Sequence, residues 1–342
     1  MGLSIGEIIP KKEISFTSLR GKTIAVDAFN ALYQFLTTIR QQDGTPLQDN
    51  SGNVTSHLSG LFYRNISLIL EGVKLIYVFD GEPPALKEKT RQKRHDAKSV
   101  MLEKYNQALA EEDIEKMKKY SRASVSLDEQ KIEESKELLQ AMGVAIVQAP
   151  SEGEAQASWL VKKGFAYAVA SQDYDCLLFE APRLIQNLSL ARKRKTNGGY
   201  REIFPQMIEL AHVLSTLQLT QEQIVCLGIL SGTDYNPGGV KGLGPKKSLK
   251  IVQEYKTKEK IFEAVVTEER FSKYDLNFDW FEIYVAITNQ QIFTDVKIVF
   301  PQINPEKIQK IMMTHDFSQE RIQAQLDKLS VLKKEAAQKR LF

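Results

Sequence analysis

The chain has 342 residues, 42% hydrophobic and 26% charged, enough for a sizeable core in one large domain or two smaller ones. Its 46 Lys+Arg against 43 Asp+Glu leave a net charge of +3, so total charge says nothing about nucleic acid and the distribution has to. No stretch approaches the roughly 20 apolar residues of a membrane span, and the opening residues 1–16 lack the apolar centre of a signal peptide.

In chain order, short apolar runs rich in β-branched residues fall at 23–27, 74–80, 143–148, 166–171 and 183–188. They show little of the alternation of a half-exposed sheet. Helical patterns at 28–40, 54–71 and 127–142 separate most of them. This order predicts an α/β fold: a central, mostly parallel, twisted sheet flanked by helices on both faces. In such folds the ligand crevice lies outside the carboxyl ends of the strands. Residues 82–120 form a charged, helix-compatible insertion with sparse apolar positions, and a helix polar nearly all round is not buried. Its first half is basic, with Lys87, Lys89, Arg91, Lys93, Arg94 and Lys98 against Glu88 and Asp96. A basic loop or hairpin with a Gly-Gly turn follows at 191–203. The remainder reads as helical, ending in an amphipathic pattern over 318–340. Cys176 and Cys226 lie in apolar runs and read as buried free thiols, without zinc spacing, in a reducing intracellular compartment.

Seven carboxylates sit where strands end or helices begin: Asp27, Asp80, Glu152, Glu154, Asp173, Asp175 and Asp234. Turn-forming or small residues flank each, in VDAFN, FDGEPP, PSEGEA, SQDYD and GTDYNPGG. Each has a plain alternative. Ser151 and Glu154 would make a capping box, and the Asp173, Asp175 and Asp234 side chains would bond local turn amides. Jointly, those alternatives do not explain why every cluster closes a strand or opens a helix. A shared acidic pocket does, and so much like charge in one place requires cations. Hard divalent ions such as Mg²⁺ choose an oxygen-only ligand set. Two of them about 4 Å apart can hold an attacking water and the leaving oxygen of a phosphodiester.

Lys87 and Arg94 are seven residues apart, hence on one helix face, and close enough to Asp80 in sequence to reach a phosphate above the pocket. A solvated charged face is the alternative. Tyr33 could stack on a base, or simply be core. The string GGVKGLGPKKSLK at 238–250 reads as a tight hairpin before a helix opened by Pro245. Its turn amides, with Lys246 and Lys247, suit a DNA phosphate. His57, His95, His212 and His315 are scattered and read as structural or surface residues.

These motifs, in this order from Asp27 to Lys250, resemble the flap endonucleases of the structure-specific 5′-nuclease superfamily, archaeal members above all, with likeness continuing to about residue 317. The resemblance implies a nuclease domain over 1–317, with a helical arch at about 82–126, a helix-hairpin-helix element at about 222–256, and a tail at 318–342. It implies hydrolysis at the base of a 5′ flap, in replication and repair, with 5′-3′ exonuclease activity as a companion and a 5′-phosphate product. Asp27, Asp80, Glu152 and Glu154 would serve mainly one Mg²⁺, and Asp173, Asp175 and Asp234 the other, with Mn²⁺ as a substitute. Asp80 and Asp175 would be essential to catalysis. Lys87 and Arg94 match the catalytic basic pair. Tyr33 matches the stacking aromatic, and Gly2 the N-terminal glycine near the active site. Gly239, Lys241, Gly242 and Gly244, with Lys246 and Lys247, match a potassium-assisted clamp on duplex DNA. Of the sliding-clamp (PCNA) peptide Q-x-x-L-x-x-F-F, only Gln338 and Leu341 fit; a weak clamp contact and a plain helix end suit these residues equally.

A monomer acting on branched DNA, away from membranes, follows, in the cytoplasm at the nucleoid, or in the nucleus of a eukaryote. The alternatives are another 5′-nuclease of the superfamily, of exonuclease or bubble-cutting type, and a non-catalytic DNA-junction binder. The latter would have no use for seven carboxylates that repel DNA.

Overall fold

The computed structural model describes all residues except 1–2, 42–43, 112, 124, 189–192, 197–198 and 339–342. At 89, 114, 118, 193–196, 200–201 and 332–338 only the backbone is described.

The N-terminal part runs through β1 (Lys12–Glu13), β2 (Thr23–Asp27), α1 (Ala28–Thr38), α2 (Ser56–Leu70) and β3 (Lys74–Phe79). The insertion follows as α3 (Glu88–Ala110) and α4 (Ile114–Ser121). Then come α5 (Glu129–Ala141), β4 (Ala145–Gln148), α6 (Gly153–Lys162), β5 (Ala168–Ala170), α7 (Asp175–Leu178) and β6 (Arg183–Gln186). A separate hairpin, β7 (Lys193–Thr196) with β8 (Gly199–Glu202), precedes β9 (Gln206–Glu209). The rest is helical: α8 (Leu210–Leu217), α9 (Gln221–Ser231), α10 (Pro245–Tyr255), α11 (Lys258–Thr267), α12 (Trp280–Thr288), α13 (Pro305–Thr314) and α14 (Gln319–Gln338).

The seven-stranded sheet has the order β1-β9-β6-β5-β2-β3-β4. From β6 to β4 every pairing is parallel, and β9 and β1 are antiparallel. β2 is central, between β3 and β5. Successive residues of a strand face opposite sides, and both sides are covered here. Ile24, Val26, Leu75, Tyr77 and Phe79 join the core under α1, α2, α5, α13 and α14. Ala25, Ile76, Val78 and Val169 join the core under α6, α7 and the helices from α8 to α12. Burial on both faces explains why these runs are continuously apolar. Each fully buried large side chain contributes about 1.5–3 kcal/mol, which makes the sheet a stiff floor for its rim.

The antiparallel edge, β9 and β1, was not expected from the sequence. β1 is two exposed residues, Lys12 and Glu13, and β9 is four residues with polar ends, so neither carries an apolar run. Several predicted elements are also shorter than expected: the run at 143–148 is strand only from Ala145, and that at 166–171 only over Ala168–Ala170. Among the described residues no single helix is long and apolar enough to cross a membrane.

Candidate active site

Because β2, β3, β4 and β5 run parallel, their carboxyl ends share one rim. Asp27 ends β2, Asp80 follows β3, Glu152 follows β4, and Ser171 with Asp173 follows β5. Asp27 caps α1, its Oδ1 accepting from the Asn30 amide at 3.0 Å. Asp80 Oδ1 accepts from the Gly153 amide at 2.7 Å. A Cβ on Gly153 would lie 2.5 Å from that oxygen, so only glycine permits this approach. Asp175 opens α7, and its Oδ1 accepts from the Leu3 amide at 3.3 Å.

Ser171 ties two clusters together. Its hydroxyl lies 3.2 Å from Asp27 Oδ2 and 3.0 Å from Glu154 Oε1, donating to one at a time, and accepts from the Asp173 amide at 3.2 Å. The Asn30 side chain donates to Asp173 Oδ2 at 3.3 Å and accepts from the Gln172 amide at 3.1 Å. Glu152 Oε1 accepts from the Tyr235 hydroxyl at 3.0 Å and pairs with Lys87. Arg94 grips Asp234 with two nitrogens, at 3.2 and 2.6 Å.

All seven carboxylates therefore lie in one electrostatic field. Burial, then the charges of Asp80 and Asp173, push Asp27 up to about 7 against the Asn30 amide. Burial also lifts Asp175 to about 7; Lys87 opposes the rise, while Asp234, Asp173 and Glu152 add to it. Asp80 rises to about 6 through burial, restrained by the Gly153 amide and pushed by Glu152. Its side chain is nonetheless exposed at the rim, so solvent offsets part of that rise. Burial and the charges of Asp27, Asp175 and Asp173 hold Glu154 well above the carboxylate range. Burial alone would lower Lys87 and Arg94; the carboxylates beneath outweigh it and raise both. The Tyr235 phenol, raised by burial and by Glu152, stays protonated.

These residues fit hard divalent cations. The donors are all oxygens, several of them buried and close enough to raise one another's pKa, and Glu152 Oε2 is buried without a hydrogen-bond partner. Among the described residues no three of these groups converge on one point as a finished metal cage would. Lys87 and Arg94 pair with Glu152 and Asp234.

Ser151 does not cap α6. Glu152 occupies the cap position in extended backbone without a side-chain cap bond, and Glu154 lies in the first helical turn. The Ser151 hydroxyl donates to the Glu82 carbonyl at 2.9 Å, at the foot of the insertion, and Glu154 turns to Ser171. The histidines are also less scattered than expected. His57 is buried 3.3 Å from Glu134, and His315 lies 3.0 Å from Asp49 and 3.6 Å from Glu134, on elements that carry no rim carboxylate.

The insertion places its cations as the spacing suggested. Lys87 ends a short 3-10 turn before α3, and Arg94 sits two turns along that helix. Tyr33 is half-buried on α1, with Lys98 Nζ 4.4 Å from its ring centroid and 3.1 Å from its hydroxyl. The α9–α10 connection is a tight hairpin. Gly239 has φ +58°, where an added Cβ would fall 2.4 Å from Gly232 N. The Val240 amide closes onto the Leu230 carbonyl at 2.9 Å. Gly242 also has positive φ, Gly244 caps α10, and Pro245 fills its first turn. Lys241 is exposed. Lys246 lies 3.2 Å from Glu7, and Lys247 donates to the Gly242 carbonyl at 3.3 Å. Gly2, Leu341 and the Gln338 side chain lie outside the described residues.

Ser171, Asn30, Tyr235 and Gln290 were missed. Asn30, one turn after Asp27, and Ser171, two residues before Asp173, had a signal in spacing; Gln290 had none.

Comparison with known proteins identifies the family. Residues 4–101 match the XPG N-terminal domain and residues 143–234 the XPG I-region. Flap endonuclease 1 of Pyrococcus abyssi is 49% identical over 332 residues, covering 96% of this chain and 94% of that one. The solved flap endonuclease-1 from Methanococcus jannaschii superposes with a TM-score of 0.73 at 38% identity, over 96% of this chain and 98% of that one. The catalytic core of Rad2 in complex with a DNA substrate, at 23% identity and a TM-score of 0.70 over 94% of this chain and 96% of that one, shares the fold. The chain belongs to the flap endonuclease family.

Proposed function

We propose that the protein is a structure-specific 5′-flap endonuclease that hydrolyses a DNA phosphodiester at the flap base, in replication and repair, and depends on divalent metal. One observation carries this reading. Seven carboxylates from distant segments share one rim, and two cations of the insertion stand over them.

Asp27, Asp80, Glu152 and Glu154 would hold one Mg²⁺ and Asp173, Asp175 and Asp234 a second, with Mn²⁺ able to replace either. When bound, such ions lower the pKa of a water and neutralise the scissile phosphate. The chain's own groups do the rest. The Gly153, Asn30 and Leu3 amides orient the carboxylates. Lys87 and Arg94 can leave their carboxylate partners for phosphate oxygens and stabilise developing negative charge. Tyr33, beside Lys98, offers a ring for a base near the cut. Gly239, Lys241, Gly242 and Gly244, with Lys246 and Lys247, would grip the duplex backbone, with K⁺ at the hairpin carbonyls. The product carries a 5′-phosphate and leaves a 3′-hydroxyl.

The working unit is a monomer, with its nuclease domain over 1–317 and the strand passing under the arch at 82–126. The tail at 338–342 would touch a sliding clamp weakly through Gln338 and Leu341. In an archaeal-like cell the site of action is the cytoplasmic nucleoid.

The test is cleavage of end-labelled flap, bubble and nicked-duplex DNA, with Mg²⁺ or with chelator, and the cut position mapped. Metal-dependent cutting at the flap base supports the reading. Preferred cutting of the bubble or of duplex ends points to another nuclease of the superfamily, and binding without cutting points to a junction scaffold.

A further inference from the structure

Tyr235 follows Asp234 on the turn after α9, and it is buried. Its hydroxyl accepts from Gln290 Nε2 at 2.7 Å and donates to Glu152 Oε1 at 3.0 Å. The same Gln290 nitrogen donates to the Ala286 carbonyl at 2.6 Å. An amide nitrogen only donates, so the phenol proton is directed onward to Glu152. The Tyr235 ring meanwhile supports Lys87, whose Nζ lies 4.5 Å from the centroid. One side chain thus touches both a rim carboxylate and the cation at the foot of the arch. Its orientation is set from just beyond α12. With Glu152 Oε1 held by Tyr235 and Lys87, only Oε2, buried and without a hydrogen-bond partner, is left to take a cation.

We propose that Tyr235, seated by Gln290, is a positioning residue that aims Glu152 at a metal ion and carries Lys87 beside it. The proposal rests on the nuclease reading for its purpose and on the contacts above for its geometry. A ring that merely filled the core would need no hydroxyl, and Tyr235→Phe separates the two roles. Phe keeps the ring under Lys87 and leaves Gln290 bonded to Ala286.

The experiment compares wild type, Tyr235→Phe and Gln290→Leu in three measurements. These are Mn²⁺ binding to DNA-free protein by electron paramagnetic resonance, flap-DNA affinity, and single-turnover cleavage across Mg²⁺ concentration. Tyr235→Phe should weaken Mn²⁺ binding about tenfold. Its DNA affinity should not change, and its rate should fall at low Mg²⁺ and recover at high Mg²⁺. Gln290→Leu should shift in the same direction by less. Wild-type Mn²⁺ affinity in Tyr235→Phe overturns the proposal, as does a rate loss equal at every Mg²⁺ concentration with lowered melting temperature, the mark of a structural role. If wild type does not cut the flap, the nuclease reading fails, and the Mn²⁺ isotherms still decide whether Tyr235 aims Glu152.

Discussion

The acidic rim and the helical arch are held by different things. At the rim, Asp27, Asp80 and Asp175 are each fixed by a backbone amide and Glu154 by the Ser171 hydroxyl, at the ends of buried strands or on the helices that follow them. The arch has almost no core of its own. Val100, Leu102 and Leu109 on α3 are exposed, and of its described apolar side chains only Ala108 is buried. It reaches the body through Lys87 and Arg94 on the carboxylates, Lys98 on Tyr33, and Ser121 bonded by Arg40. A site for ions needs donors that do not move. If Lys87 and Arg94 exchange a carboxylate for a phosphate as proposed, a support with few buried contacts suits them. The same charges that cost the rim stability are what anchor the arch.

The largest effects belong to the rim. Asp175→Ala and Asp80→Ala should each lower cleavage on the order of 10³-fold or more, comparable to losing a principal electrostatic stabiliser, while flap affinity by fluorescence anisotropy stays within a few-fold. Normal turnover by either variant in Mg²⁺ would contradict the rim's role. Next come the arch cations. Lys87→Met or Arg94→Ala should slow single-turnover cleavage on the order of 10²-fold. Neither should weaken Mn²⁺ binding to DNA-free protein, because each removes a competitor for a rim carboxylate.

Stability separates the two regions in the opposite sense. Burial pushes Asp27 and Asp175 up to about 7 in the folded protein, from an ordinary aspartate value of 3.8. The folded state therefore binds more protons between about pH 4 and 7, so its stability is fullest below that window and falls as pH rises through it. Metal-free protein should melt higher at pH 5 than at pH 8, Mg²⁺ should remove most of that difference, and Asp175→Asn should raise the pH 8 melting temperature by a few degrees. A melting temperature that rises with pH in chelator would contradict the account. The smallest effect belongs to the hairpin. Lys246→Ala should weaken flap binding a few-fold and lower the salt slope by about 1, leaving the saturated rate unchanged.

Much of this was legible in the letters because parallel strands leave a simple trace. Apolar runs that end in Asp27 and Asp80, with Glu152/Glu154 and Asp173/Asp175 shortly after the next two runs, place most of the rim without any knowledge of packing. The glycines and Pro245 of the hairpin are equally local signals, since positive φ and a helix start demand particular residues. What was not legible depends on distance in sequence. Gln290 reaches Tyr235 across 55 positions, and the Leu3 amide reaches Asp175 across 172. β1 carries no apolar residue, and β9 only the buried pair Met207 and Ile208, too short a run to stand out in the sequence. Ser151 failed as a cap because the Glu82 carbonyl, remote in sequence, competes for its hydroxyl.

In the proposed mechanism the rim binds a pair of ions between the ends of β2, β3 and β5. Anomalous diffraction from crystals grown with Mn²⁺ tests it directly. The account predicts two peaks about 4 Å apart, one among Asp27, Asp80, Glu152 and Glu154 and the other among Asp173, Asp175 and Asp234, with Lys87 and Arg94 turned away from the carboxylates they hold here. No peak at the rim, with Lys87 still on Glu152 and Arg94 still on Asp234, would contradict it.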